Sequence, residues 1–343
     1  MAKKTVLVIF TGGTIGSDCE GKSISLSGAS KKALIEKYRE YAGDGVDFEI
    51  LTPINILSEN VQPADLKKLY DCVKEADISR CEGVIITHGT DTLCFTVNWF
   101  SQVFCSFPKP IVFVSALYPL SDRRSNGLKN FAGAVDFITQ TKLGGVYCAF
   151  ANDGENCKIH LGSRLVYPDE INGFYHSALG AHFAEIADGK VIYNSSPLLP
   201  AVNAVKENAA TPCESALCDK IMLITMRSLL NFSVYDFDNV KPEAVVIELS
   251  HSGTVCTEGE ALNFKLFANY CKACGVPVVL APVMSRAGVY ASMNEIPENV
   301  SIAYDLTIEM TIVKIMSALG AGLSADAYLD RELAFEKIPF PVV

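Results

Sequence analysis

The chain has 343 residues, 49% of them hydrophobic and 20% charged, which suits a globular protein of two domains and excludes disordered and fibrous classes. Its 29 basic and 39 acidic side chains give a formal charge of −10. An acidic surface repels phosphate backbones, and the basic pairs Lys31-Lys32, Lys67-Lys68 and Arg123-Arg124 are isolated, so nucleic acid is not expected as a partner.

The first element predicted is a buried strand over 5–10. This run is too short for the hydrophobic part of a secretion signal and ends in Thr11-Gly12-Gly13 with no small-residue cleavage site. Further strands rich in Val, Ile and Phe are expected at 83–87, 111–115 and 145–150, with helices over 30–41, 63–76, 92–104 and 126–139 between them. Pro63 suits a first helical turn, and Asp65 adds the early negative charge that a helix dipole favours. A second set follows, with strands at 221–226, 244–249 and 276–282 and helices over 260–274 and 306–319. The polar stretch between the sets, rich in Pro, Ala and Asn and without periodicity, reads as a linker. The pattern predicts an α/β protein: a larger N-terminal parallel-sheet domain over 1–192, flavodoxin-like or Rossmann-like, a linker over 193–218, and a smaller C-terminal α/β domain over 219–343.

Gly, Pro or charge interrupts every apolar run before the roughly 18 to 20 residues a membrane helix requires, so no membrane span is expected. The 12 cysteines are scattered and several fall in apolar runs, as reduced thiols do; with no signal sequence, this points to the cytoplasm. Cys271 and Cys274 have the spacing of a metal or redox pair, but they lie late in a predicted helix with no second pair, and read as two helix cysteines. No metal site is expected.

Two hydroxyl-rich turns follow two of the predicted strands: Thr11-Gly12-Gly13-Thr14-Ile15-Gly16 and Thr87-His88-Gly89-Thr90-Asp91-Thr92. In an open parallel sheet, ligands bind in the crevice outside the carboxyl ends of the strands, so both turns are expected to face one pocket. Glycines there let the backbone approach a ligand closely. The chain has no GxxxxGK[ST] loop, and the first turn lacks GxGxxG spacing, so no nucleotide cofactor is expected.

The segments TGGTIG and ITHGTDTL together resemble the two signatures of the bacterial-type L-asparaginases, and residues 306–314 resemble a helix of the cytoplasmic, type I members. The resemblance implies a two-domain α/β fold, a homodimer or homotetramer, no cofactor, and hydrolysis of the side-chain amide of L-asparagine or a related small amide. Carried over by position, it implies Thr14 as nucleophile, Thr90 as second catalytic threonine, Asp91 as the carboxylate receiving the α-amino group, and Ser58 as the serine holding the α-carboxylate. Gly13, Glu59, Gly89 and Ala116 join the expected substrate-binding set, with backbone N–H groups near Gly13 and Ala116 as oxyanion donors.

Three departures from the family pattern stand out. Tyr167, in Gly162-Ser163-Arg164-Leu165-Val166-Tyr167, occupies the place of the family's lysine, and a phenol neutral at pH 7 donates a hydrogen bond but supplies no positive charge. Ser23 falls at the tyrosine of the N-terminal lid, and Lys22 or Lys158 is an alternative source of the charge that Tyr167 does not supply. Ser115-Ala116 replaces the usual Gly-Ala or Gly-Ser and is expected to narrow the pocket. Glu59 adds a carboxylate able to attract a cationic group, while Glu295, His251 and Ser252 are weaker candidates. The leading expectation is an amidohydrolase, with Tyr167 in its catalytic set. The alternative is an asparaginase-like amino-acid-binding protein with lost or altered catalysis. A tRNA amidotransferase subunit shares both signatures, but the acidic charge and the start of the first signature at residue 11, without those subunits' additional N-terminal domain, weigh against it.

Overall fold

The computed structural model describes residues 3–13, 15, 17–20, 23–26, 28–226, 230–284, 293–294 and 296–339, with backbone alone for 17–20, 23–26 and 28–31. The chain divides into two compact units, one of Met1–Cys213 with Leu333–Phe335, the other of Glu214–Glu332 with Glu336–Val343.

The first unit runs β1 (Lys4–Phe10), β2 (Ser17–Glu20), β3 (Ser23–Leu26), α1 (Gly28–Ala42), β4 (Val46–Leu51), α2 (Pro63–Glu75), β5 (Cys81–Thr87), α3 (Leu93–Val103), β6 (Pro110–Val114), α4 (Gly127–Thr141), β7 (Gly145–Phe150), β8 (Cys157–Leu161), β9 (Ala184–Ala187), β10 (Lys190–Tyr193) and α5 (Val202–Lys206). Its main sheet has the order β10-β9-β8-β7-β6-β5-β1-β4. Strands β4, β1, β5, β6 and β7 are parallel, and β8, β9 and β10 extend the sheet with antiparallel pairings. Strands buried on both faces explain the continuous apolar runs: every residue of β1 from Val6 to Phe10, and all of β6, are buried. Tyr38 of α1, Phe48 of β4 and Phe131 of α4 meet ring to ring on one face, with centroids 5.3 to 5.6 Å apart.

The order of the parallel strands places β4 on one side of β1 and β5 on the other, so successive connections leave β1 in opposite directions. Such a reversal opens a crevice at the carboxyl ends of the two strands concerned. Phe10 pairs with Thr87 at those ends, which puts the two hydroxyl-rich turns side by side. The stretch expected as a linker holds α5, whose Val205 is buried in the core of the first unit with Leu199 and Val202 against it.

The second unit runs β11 (Ile221–Thr225), β12 (Ala244–Glu248), α6 (Phe264–Ala273), β13 (Val278–Val283), β14 (Val300–Tyr304) and α7 (Ile308–Gly320). Its four strands are parallel in the order β11-β12-β13-β14. Helix α6 begins at Phe264 rather than at residue 260, because Asn263 accepts the N–H of Lys265 and caps the helix there. Helix α7 is capped by Thr307, whose hydroxyl accepts the N–H of Met310. The α7 ammonium of Lys314 pairs with Glu336 at 2.7 Å, both side chains wholly buried. Cys271 packs in the core of this unit, where burial pushes its thiol up to about 12 and keeps it protonated. The two-domain α/β fold implied by the family resemblance is the fold observed. Among the described residues, no helix is long and apolar enough to cross a membrane, and no group of His, Cys, Asp and Glu is arranged to hold a metal ion.

Candidate active site

The backbones of the two turns touch. Gly13 has φ +75, and a Cβ there would fall 2.4 Å from the nitrogen and 2.6 Å from the Cα of Gly89. A Cβ on Gly89 would in turn fall 2.4 Å from the hydroxyl oxygen of Ser58. Only hydrogen fits at either position, which is why glycines stand there. The segment before Ser58 joins from the other side: Ile56 donates its N–H to the carbonyl of Thr11 at 2.9 Å, and Gly12 bridges to Ile56.

Ser58 and Asp91 form the polar centre of this junction. The buried Ser58 hydroxyl donates to Asp91 Oδ2 at 3.0 Å and accepts the Asp91 N–H at 3.2 Å. Thr92 Oγ1 donates to the Ser58 carbonyl at 3.0 Å, tying the first turn of α3 to the same residue. Asp91 is exposed, so its carboxylate is anchored by one hydroxyl and still open to solvent. Glu59, the next residue in the 3-10 turn Ser58–Asn60, is exposed as well.

The carbonyls of His88, Gly89 and Thr90 are each held by a different partner. Ser115, just past β6, donates its hydroxyl to the His88 carbonyl at 2.7 Å. The side chain expected to narrow a pocket is instead wholly buried behind the turn. His88 Nδ1 lies 2.8 Å from the Gly89 carbonyl, which can only accept, so this nitrogen carries the proton. Burial pushes the His88 pKa below its usual range, and the ring is neutral. The carbonyl of Thr90 accepts the phenol of Tyr175 and the N–H of Leu93. Ala116 is buried beside Ile15 against the start of α4, where a Cβ on Gly127 would meet both, at 3.1 and 3.2 Å.

Tyr167 is 49% exposed, with the ring of Phe95 6.3 Å away. Lys158 donates to Glu155 at 2.7 Å. Thr14, Lys22, Glu295 and the side chain of Ser23 lie outside the described residues. In the second unit, His251 is exposed in a turn and Ser252 lies 2.9 Å from the hydroxyl of Thr254. Tyr175 and Asn152 escaped the sequence reading. Neither sits in a recognisable motif, and the link from Tyr175 to Thr90 spans 85 residues of chain.

Residues 5–199 match the family model for the N-terminal domain of asparaginases. The chain belongs to the asparaginase family. It is 27% identical over 324 residues to the L-asparaginase of Thermococcus kodakarensis, covering 92% of each chain. The solved structure of the thermostable L-asparaginase from the same organism superposes with a TM-score of 0.80 at 25% identity, covering 98% of this chain and all of that one. A glutamyl-tRNA(Gln) amidotransferase component from Haloquadratum walsbyi is 25% identical over 260 residues, which cover 74% of this chain but 57% of that protein. Family membership makes the chain an L-asparaginase-type amidohydrolase.

Proposed function

We propose that the chain hydrolyses the side-chain amide of L-asparagine, or of a closely related small amide, to aspartate and ammonia, with the hydroxyl of Thr14 as nucleophile. The observation that carries this reading is the Ser58–Asp91 pair, set where the two glycine turns meet at the carboxyl ends of β1 and β5. A hydroxyl has one proton to give. When a substrate α-carboxylate arrives, Ser58 turns its proton to it, and the released Asp91 Oδ2 accepts the α-ammonium group. One exchange thus recognises both charges of an amino acid. In this reading Thr14 attacks the side-chain amide, and its hydroxyl is a weak nucleophile until its proton is taken. Thr90, on the adjoining turn, is the second catalytic threonine of this reading. Attack forms a tetrahedral intermediate, ammonia leaves, and water hydrolyses the acyl-enzyme.

Tyr167 supports a second reading, of a protein that binds amino acids with lost or altered turnover, because a phenol stands where the family resemblance places a lysine. The described cysteines are free thiols, most of them buried, which supports a reducing compartment and hence the cytoplasm. Ammonia release from L-asparagine, compared with succinamate, which has the same amide without the α-amino group, separates these readings. The expected result is turnover of asparagine and at least about tenfold lower kcat/KM for succinamate, since Asp91 loses its cationic partner. Equal rates would remove Asp91 from substrate recognition. No ammonia from either, with saturable binding of asparagine, would leave the binding reading standing.

A further inference from the structure

We propose that Tyr175 is a positioning residue for the reaction, its phenol fixing the Thr90 turn so that the Thr90 hydroxyl stays aimed at the substrate; the proposal rests on the reading of Thr90 as second catalytic threonine. Tyr175 has no accessible surface, and its OH donates to the Thr90 carbonyl. Its own place is fixed by a rigid clasp: Asn152, just past the end of β7, accepts the Tyr175 N–H and donates to the Tyr175 carbonyl, both at 3.0 Å. One side-chain amide therefore pairs with both backbone groups of the tyrosine, as a neighbouring strand would. The ring packs on Phe150, with centroids 4.8 Å apart. Asn152 is held in turn by Glu155, which pairs with Lys158.

Three anchors thus grip three consecutive carbonyls of the turn: Ser115 at His88, the His88 ring at Gly89, and Tyr175 at Thr90. The first is fixed to the end of β6 and the second is internal to the turn. Tyr175 alone of the three side chains reaches it from the chain beyond β8, and it grips the residue proposed to carry the catalytic hydroxyl. Burial, together with nearby Cys94, Cys148, Asp91 and Tyr167, raises the phenol pKa well above its usual value, so the proton stays on the oxygen and the bond persists through the neutral range. A hydroxyl misplaced by even a fraction of an ångström no longer meets a developing charge or a moving proton at bonding distance. Substrate capture by Ser58 and Asp91 is less demanding, because the Asp91 N–H and carboxylate are held separately by Ser58.

Tyr175→Phe keeps the ring on Phe150 and removes only the bond to Thr90. Steady-state hydrolysis of L-asparagine and calorimetric titration with L-aspartate are measured on the wild type and the variant. The expected result is a fall in kcat of about tenfold to a hundredfold, with KM and aspartate affinity within about twofold of wild type. An unchanged kcat would overturn the positioning role while leaving the proposed reaction intact. A loss of aspartate affinity matching the loss of rate, or a variant that fails to fold, would assign Tyr175 to the fold and overturn the role as well. Wild-type protein without turnover would overturn the proposed reaction itself, and this inference with it.

Discussion

At the scale of residues, the site is built from contacts too close for any side chain but hydrogen. Gly89 shows this most sharply, since a methyl group there would stand 2.4 Å from Ser58 Oγ and 2.7 Å from Ser58 Cβ. Gly89→Ala is expected to push Ser58 off Asp91, to raise KM for L-asparagine by about tenfold or more, and to destabilise the fold by about 1–3 kcal/mol, the usual range for overpacking. Kinetics and denaturant unfolding check both effects, and a variant with wild-type KM would show that Ser58 is not needed in its observed position. Thr90 and Asp91 were legible in the sequence because they lie in a short segment whose hydroxyl, glycine and carboxylate pattern is itself the signal, whereas Ser58 was legible through the family resemblance. Tyr175 and Asn152 were not legible as parts of the site, and Ser115 was legible as a pocket residue but not as the anchor of the His88 carbonyl. Their contributions depend on distances across the fold, and a tyrosine among Phe174 and His176 carries no local mark of what its hydroxyl reaches.

At the scale of elements, the buried parallel strands and the longer helices were readable, and the sheet margins were not. Strand β4 is an edge strand with exposed Ile50 and Leu51 and charged Asp47 and Glu49, so it lacks the apolar run that marked β1, β5, β6 and β7. Strands β9 and β10 have four residues each, too few for a periodic signal, and β8 carries Lys158 and His160 within five residues. His160 also bears on stability. Its Nδ1 lies 2.8 Å from the Ser177 hydroxyl, its Nε2 is buried without a partner among the described residues, and burial pushes its pKa down to about 3. The unfolded chain takes up this proton near the ordinary histidine pKa of about 6.5, whereas the native state resists it until about 3, so stability is full above that window and falls as the pH drops through it. Buried His88 acts in the same direction. Asp136 opposes them: burial raises its carboxyl to about 6, so the native state takes up this proton before the unfolded chain does, and acidification through that range favours folding. His182, its pKa lowered by partial burial, joins the other two histidines, and three histidines against one raised carboxyl predict a net loss of stability between about pH 6.5 and 4. His160→Gln should make the fall shallower in a series of thermal melts across that range, and an unchanged slope would show that His160 does not carry it.

At the scale of the whole molecule, the two α/β units and the family follow from the same features that the sequence displayed: strand-turn-helix alternation, and two signature turns whose strands the fold makes neighbours. The order of the strands was beyond reach of the sequence, because nothing local states that β1 sits between β4 and β5. Yet that order is what brings Gly13 against Gly89 and sets Ser58 beside Asp91. Thr14 as the nucleophile at this junction is tested by ammonia release from L-asparagine by the purified wild-type protein beside Thr14→Ala. The expected result is turnover by the wild type, and a rate for the variant lower by at least about a hundredfold, with L-aspartate still bound. Equal release by the two proteins would contradict it.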